Sequence, residues 1–104
     1  MTIAEVNDRL RKQLPLMPSP HQLMLTDAVA AIPFLELHKV FSALVSFNAF
    51  NEENDPYKEH DFIAIKHCGD TLFMKIDYYD KNLEYFYQGN DGVRVFTLMF
   101  SHEY

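Results

Sequence analysis

Phe62-Ile63-Ala64-Ile65-Lys66-His67-Cys68-Gly69-Asp70-Thr71-Leu72-Phe73-Met74-Lys75-Ile76-Asp77-Tyr78 decides the fold class. Residues 62–67 and 71–78 are rich in β-branched and aromatic side chains and put an apolar residue at every second position (Ile63, Ile65; Leu72, Met74, Ile76), as half-buried strands do. Cys68-Gly69-Asp70 separates them, and Gly69 can take the positive φ of a tight hairpin turn. A turn centred on Gly69-Asp70 pairs Ile63 with Ile76, Ile65 with Met74 and His67 with Leu72 on one face. The other face pairs Phe62 with Asp77, Ala64 with Lys75 and Lys66 with Phe73. His60 then falls opposite Tyr79, just beyond the strands. A slip of one residue would exchange the two faces.

Upstream of the hairpin, Pro33 suits the first turn of a helix, where its missing N–H costs nothing. Phe34, Leu37, Val40, Phe41, Leu44 and Val45 follow at three- and four-residue steps and predict a core helix to about Phe47. Ile3, Val6, Leu10 and Leu14 predict an amphipathic N-terminal helix with Thr2 as N-cap. Pro15, Pro18 and Pro20 stop it. His21–Thr26 is a short candidate strand, and Thr26 or Asp27 can cap a helical turn reaching Ile32. Residues 48–60 form a polar loop with a turn at Asn54-Asp55-Pro56. Downstream, Asp80-Lys81-Asn82 reads as a turn and Leu83–Tyr87 as a third strand. Val93–Glu103 fits either element; Val95, Leu98, Met99 and His102 share a helical face, so a C-terminal helix is expected. The reading is a small α+β domain over residues 1–104: an antiparallel hairpin or meander of about three strands packed on a central helix, with N- and C-terminal helices.

A chain of 104 residues can bury one core. The net charge of −6 lies entirely in the second half: residues 1–50 hold four acids and four bases, residues 51–104 eleven acids and five bases. Polyanions need a basic surface, and only Arg9, Arg11 and Lys12 cluster, so direct nucleic-acid binding is disfavoured. The single cysteine, Cys68, excludes an internal disulfide, and no Cys/His spacing matches structural zinc. No apolar run reaches membrane-span length, Glu5 and Asp8 interrupt any leader-like stretch, and a reducing, cytoplasmic setting is expected.

Asn54-Asp55-Pro56-Tyr57, Glu59-His60-Asp61-Phe62, Lys75-Ile76-Asp77-Tyr78-Tyr79-Asp80 and Leu83-Glu84-Tyr85 together resemble a bacterial family known as domain of unknown function 3768. Its typical pattern is N-D-P-[YH]-G-E-H-D-F, then W-K-I-D-Y-Y-D, then an ending similar to Phe96-Thr97-Leu98-Met99-Phe100-Ser101-His102-Glu103-Tyr104. The opening Ile3-x-x-Val6-Asn7-Asp8-x-Leu10-Arg11 is also similar. Lys58 stands where the family usually has glycine, and Met74 where it has tryptophan. The resemblance implies a small plasmid- or phage-associated protein and carries no assigned catalytic residue.

Chemically, the motif segments support two readings. All six tyrosines lie in the acidic half, and tyrosine beside carboxylates suits a surface that docks a Lys/Arg-rich protein. The expected partner-binding residues are Glu52, Glu53, Asp55, Tyr57, Glu59, His60, Asp77, Tyr79, Asp80 and Glu84. The expected function is a non-catalytic inhibitor of a basic, nucleic-acid-binding bacterial protein, for example an anti-CRISPR protein, with no cofactor; a homodimer patch is the plainer use of such a surface. The alternative is a divalent-metal-dependent hydrolase or nuclease. It would use Glu59, His60, Asp77 and Asp80 as ligands and His60, Lys75 and Asp77 as catalytic groups. Asp55, His60 and Asp77 can equally serve to fix the loop against the hairpin. Cys68 beside His67 reads as a turn residue, since sequence adjacency rarely gives a working Cys–His pair.

Overall fold

A computed structural model describes residues 1–104. The elements are α1 (Ile3–Arg11), β1 (Gln22–Leu25), α2 (Asp27–Ala30), α3 (Phe34–Ser46), β2 (Phe62–His67), β3 (Asp70–Tyr79) and β4 (Val93–Phe100), closed by a single 3₁₀ turn at Ser101–Glu103. The strands form one mixed sheet in the order β1-β4-β3-β2, with β1 parallel to β4 and the other pairs antiparallel. The class is α+β, as the sequence indicates.

The hairpin keeps the expected faces but not the expected register. Ile63 lies opposite Met74, Ile65 opposite Leu72 and His67 opposite Asp70. The two-residue turn is therefore Cys68-Gly69, both with left-handed φ (50° and 84°), the requirement of a type I′ hairpin. Moving the turn by one residue changes the pairing by two, and a shift of two positions leaves every side chain on its own face. Ile63, Ile65, Leu72, Met74, Ile76 and Tyr78 are accordingly all buried.

Two downstream expectations are corrected. Val93–Phe100 is a strand, not the start of a C-terminal helix. It is hydrogen-bonded on both sides, by β1 and β3, and buries residues of both faces, including Val93, Phe96, Leu98 and Met99. Such a run has no period-two alternation and mimics a buried helix by pattern alone. Leu83–Tyr87 is not a strand; it makes one antiparallel bridge, Phe86 to Tyr79. β3 outruns β2 by several residues, so Asp77–Tyr79 has a free edge there, and only Phe86 takes it.

The helices cover one face of the sheet. Thr2 and Glu5 close a capping box at the start of α1. The core joins Leu10 and Leu14, Val29 of α2, and Val40, Phe41 and Leu44 of α3 to the inner side chains of the sheet. Fully burying each aliphatic or aromatic side chain contributes about 1.5–3 kcal/mol. Pro33 occupies the N-cap of α3, and Phe34, expected in the core stripe, is 82% exposed. Arg11, almost wholly buried, docks α1 onto the end of α3 by donating to the carbonyls of Leu44 (2.7 Å) and Val45 (3.1 Å). A guanidinium at a helix C-terminus meets unpaired carbonyls and the negative end of the helix dipole. No helix is long and apolar enough to cross a membrane.

Candidate functional site

The two central motifs and the N-terminal helix meet in one polar network under the end of the sheet. Asn7 is fully buried in α1. Its Nδ2 donates to the Glu59 carbonyl (2.9 Å) and to the Tyr78 hydroxyl oxygen (2.8 Å). Its Oδ1 accepts from Arg94 Nε (2.8 Å). Arg94 is 1% exposed, lies 5.3 Å from the Tyr78 ring centroid, and donates its backbone N–H to His21 Nδ1 (3.0 Å). The Tyr78 hydroxyl donates to Glu59 Oε2 (3.2 Å), and Gln88 Nε2 donates to Glu59 Oε1 (3.1 Å).

Above this network lies a cleft of about 370 Å³ lined by Glu59, Asp61, Asp77, Tyr79, Phe86 and Gln88, with Ile76 and Tyr78 at its base. Burial pushes the Asp61 carboxyl up to about 6, and the neighbouring Glu59 carboxylate adds to the shift. Burial likewise raises the Tyr78 phenol well above its usual value against the opposing Asn7 hydrogen bond, with Asp61 and Glu59 adding to the rise. Both groups are thus held neutral more readily than in water, while Arg94 supplies positive charge from behind.

Asp61 therefore makes stability pH-dependent with a definite sign. The folded state holds this proton up to about pH 6, whereas an unfolded aspartate releases it near about pH 3.9. Between those values the folded chain binds more protons, so this group's contribution falls as pH rises and stays lower above the window. Asp61→Asn is expected to stabilise the protein by about 1 kcal/mol at neutral pH, after discounting for solvent screening of a half-buried group. That corresponds to a Tm rise of about 4–8 °C, shrinking toward zero near pH 4. Thermal melts of both proteins across that range check it; an equal gain at every pH would remove Asp61 ionisation as the cause.

His60 sits elsewhere. It is not opposite Tyr79; with φ of 56° the chain turns its ring toward α1. Nδ1 lies 2.9 Å from Asp8 Oδ2, Nε2 lies 3.5 Å from Asp55 Oδ2, and the ring stacks on Phe50 at 3.8 Å. Burial opposes ionisation of Asp8, but hydrogen bonds from Arg11 and His60 outweigh it and hold its carboxyl below the usual range. Asp55 is 7% exposed, and its Oδ1 accepts the backbone N–H groups of Glu59 and His60, both at 3.1 Å. Asp55 and His60 thus fix the loop, Asp55 from a buried position and His60 from a partly exposed one. Lys58 adopts φ of 56°, the left-handed conformation glycine takes without strain, so the loop keeps its shape with lysine there.

The expected metal and catalytic sets are not assembled. Glu59 and Asp77 line the cleft over the buried network, whereas His60 lines a separate one with Glu52, Asp55 and Lys58. Asp80 lies in a third, where its Oδ1 accepts the backbone N–H groups of Asn82 and Glu84. Lys75 pairs with Asp77 at 3.0 Å on the sheet face away from the helices, without His60. Of the docking residues, Glu52, Glu53, Tyr57 and Glu84 are exposed; Glu59, Asp77, Tyr79 and Asp80 are partly so. Three residues central to the network, Asn7, Arg94 and Gln88, were not singled out from the sequence as site residues. The Asn7-Asp8 pair within the apolar stripe of α1 was the available signal: a polar residue on a buried helix face needs partners.

A two-layer α+β domain with a buried Asn–Tyr–Glu–Arg network beneath an acidic, aromatic cleft is what the geometry defines. The family model described as "Protein of unknown function (DUF3768)" matches residues 25–103, and the chain belongs to that family. The match takes in the loop, hairpin and β4; α1, which supplies Asn7, Asp8 and Arg11, precedes it. No match was found among curated proteins or solved structures.

Proposed function

We propose that this chain is a non-catalytic protein-binding module whose docking surface is the acidic, aromatic cleft over Glu59 and Asp61 together with the segment that follows β3. The observation that carries the reading is the segment after β3. Tyr85 and Phe86 are 70% and 72% exposed, Leu83 and Tyr87 are 42% exposed, and Asp77, Asp80, Glu84 and Asp91 surround them in sequence. Large aromatic side chains left in water beside carboxylates suit a partner that brings Lys or Arg. A cationic side chain entering the cleft would meet Glu59, Asp61 and Asp77. The partner favoured by charge is a basic, nucleic-acid-binding bacterial protein, whose binding surface an acidic domain would occlude; inhibition of a defence system, in the manner of an anti-CRISPR protein, is the specific form proposed. The hydrolase alternative needed Glu59, His60, Asp77 and Asp80 around one cation, and their spread over three clefts leaves it without a supporting observation.

Two double variants test the surface: Glu84→Lys with Tyr85→Ala on the segment after β3, and Glu52→Lys with Glu53→Lys on the 48–60 loop. All four side chains are exposed, so folding should be retained. The first is expected to weaken capture of basic proteins from a bacterial lysate by about 30-fold or more, the loss of one aromatic hot spot of about 2 kcal/mol. The second should have the smaller effect. Added nucleic acid should compete with the captured protein. Undiminished capture by both variants, or an aromatic surface buried by self-association in sedimentation, would overturn the proposal.

A further inference from the structure

We propose that Glu36, His67 and Cys68 form a binding site for a borderline-soft divalent metal ion, Zn²⁺ above others, joining the first turn of α3 to the tip of the β2–β3 hairpin. These residues offer a carboxylate oxygen, an imidazole nitrogen and a sulfur, all mutually within 4.8 Å. His67 Nε2 lies 2.9 Å from Glu36 Oε2 and 3.4 Å from Cys68 Sγ, and Sγ lies 3.7 Å from Oε2. A tetrahedral Zn²⁺ with bonds of roughly 2.0–2.3 Å requires donor separations of roughly 3.3–3.6 Å. The triangle already has nearly those sides, so small side-chain adjustments admit the ion.

The arrangement fits a cation better than a nucleophile. A catalytic Cys–His–carboxylate relay uses one ring nitrogen toward sulfur and the other toward the carboxylate. Here both Sγ and Oε2 face the same nitrogen, Nε2. Three unlike donors converging on one point is the geometry of ligation. The mix of thiolate, imidazole and carboxylate selects Zn²⁺-like ions over Mg²⁺ or Ca²⁺, which take oxygen alone.

The surroundings support the same assignment. Lys39 Nζ donates to Glu36 Oε1 at 3.2 Å, which leaves Oε2 for the ion and orients the carboxylate. Asp70 lines the same cleft of about 200 Å³, which leaves room for water or a further carboxylate in the fourth position. Spacing in the sequence conceals the site, because Glu36 comes from a helix 31 residues before His67.

Cobalt titration of metal-stripped protein tests the assignment. One equivalent of Co²⁺ should give a thiolate-to-cobalt charge-transfer band and tetrahedral visible bands, both abolished by added Zn²⁺. Cys68→Ser should remove the charge-transfer band. Glu36→Gln and His67→Gln should each weaken Zn²⁺ binding at least about tenfold, the loss typical even of outer-shell partners. Glu36 lies on an exposed helix surface, so Glu36→Gln separates ligation from folding, which circular dichroism verifies. Absence of the band at one equivalent, or unchanged affinity in Glu36→Gln, would overturn the site.

Discussion

Asn7→Ala is expected to destabilise the fold by about 3–5 kcal/mol, read as a drop in the urea midpoint at unchanged slope. Asn7 satisfies three groups at once: the Glu59 carbonyl, the Tyr78 hydroxyl and Arg94 Nε. Deserting a buried polar group costs about 1–3 kcal/mol, and more when the group is charged. Arg94 makes the loss severe. Its guanidinium is buried, one of its terminal nitrogens already has no hydrogen-bond partner, and burial pulls its pKa down. Asn7→Asp is a sharper probe. It would return an acceptor to Arg94 but remove the N–H donors from Glu59 and Tyr78, so it too should be destabilising. A loss below about 1 kcal/mol in Asn7→Ala would show that water readily replaces the amide.

Asp55→Ala should cost about 2–4 kcal/mol, and Asp55→Asn distinctly less. The Oδ1 atom receives two backbone N–H groups, those of Glu59 and His60, and hydrogen bonds to a charged acceptor contribute about 1.5–3 kcal/mol. Asparagine keeps that oxygen and loses the charge facing His60. The same carboxylate holds the backbone where Lys58 and His60 take left-handed φ, a conformation costing roughly 1–2 kcal/mol per residue. Alanine would therefore release the loop as well as the hydrogen bonds. Equal losses for alanine and asparagine, by chemical denaturation, would mean that charge rather than the backbone bonds carries the role.

The motif segments serve the architecture first. His60 shows how. Imidazole is a versatile chemical group, and in isolation this residue reads as chemistry. In the fold it bridges Asp8 of α1 and Asp55 of the loop and covers Phe50. The surface proposed for docking is what remains exposed or half-exposed: Asp77, Tyr79 and Phe86 lining the cleft with Glu59 and Asp61, and Glu84 and Tyr85 just before Phe86 in the chain. Docking on that surface and metal binding at the hairpin tip involve no common residue, so each can fail without the other.

The period-two apolar residues of the two hairpin strands, the stripe of α3 and the Thr2 cap of α1 are local patterns. Each depends on neighbours within a few residues, and each was legible in the chain. The faces of the hairpin were legible for the same reason, even though its turn was centred one residue too late. β4 was misread because its pattern reflects burial on both faces between β1 and β3, which no local periodicity encodes. The convergence of Asn7 with Tyr78 and Arg94, of Asp8 with His60, and of Glu36 with His67 joins residues 31 to 87 positions apart. Packing the helices onto one face of the sheet brings these pairs together, and such placement is a property of the folded chain as a whole.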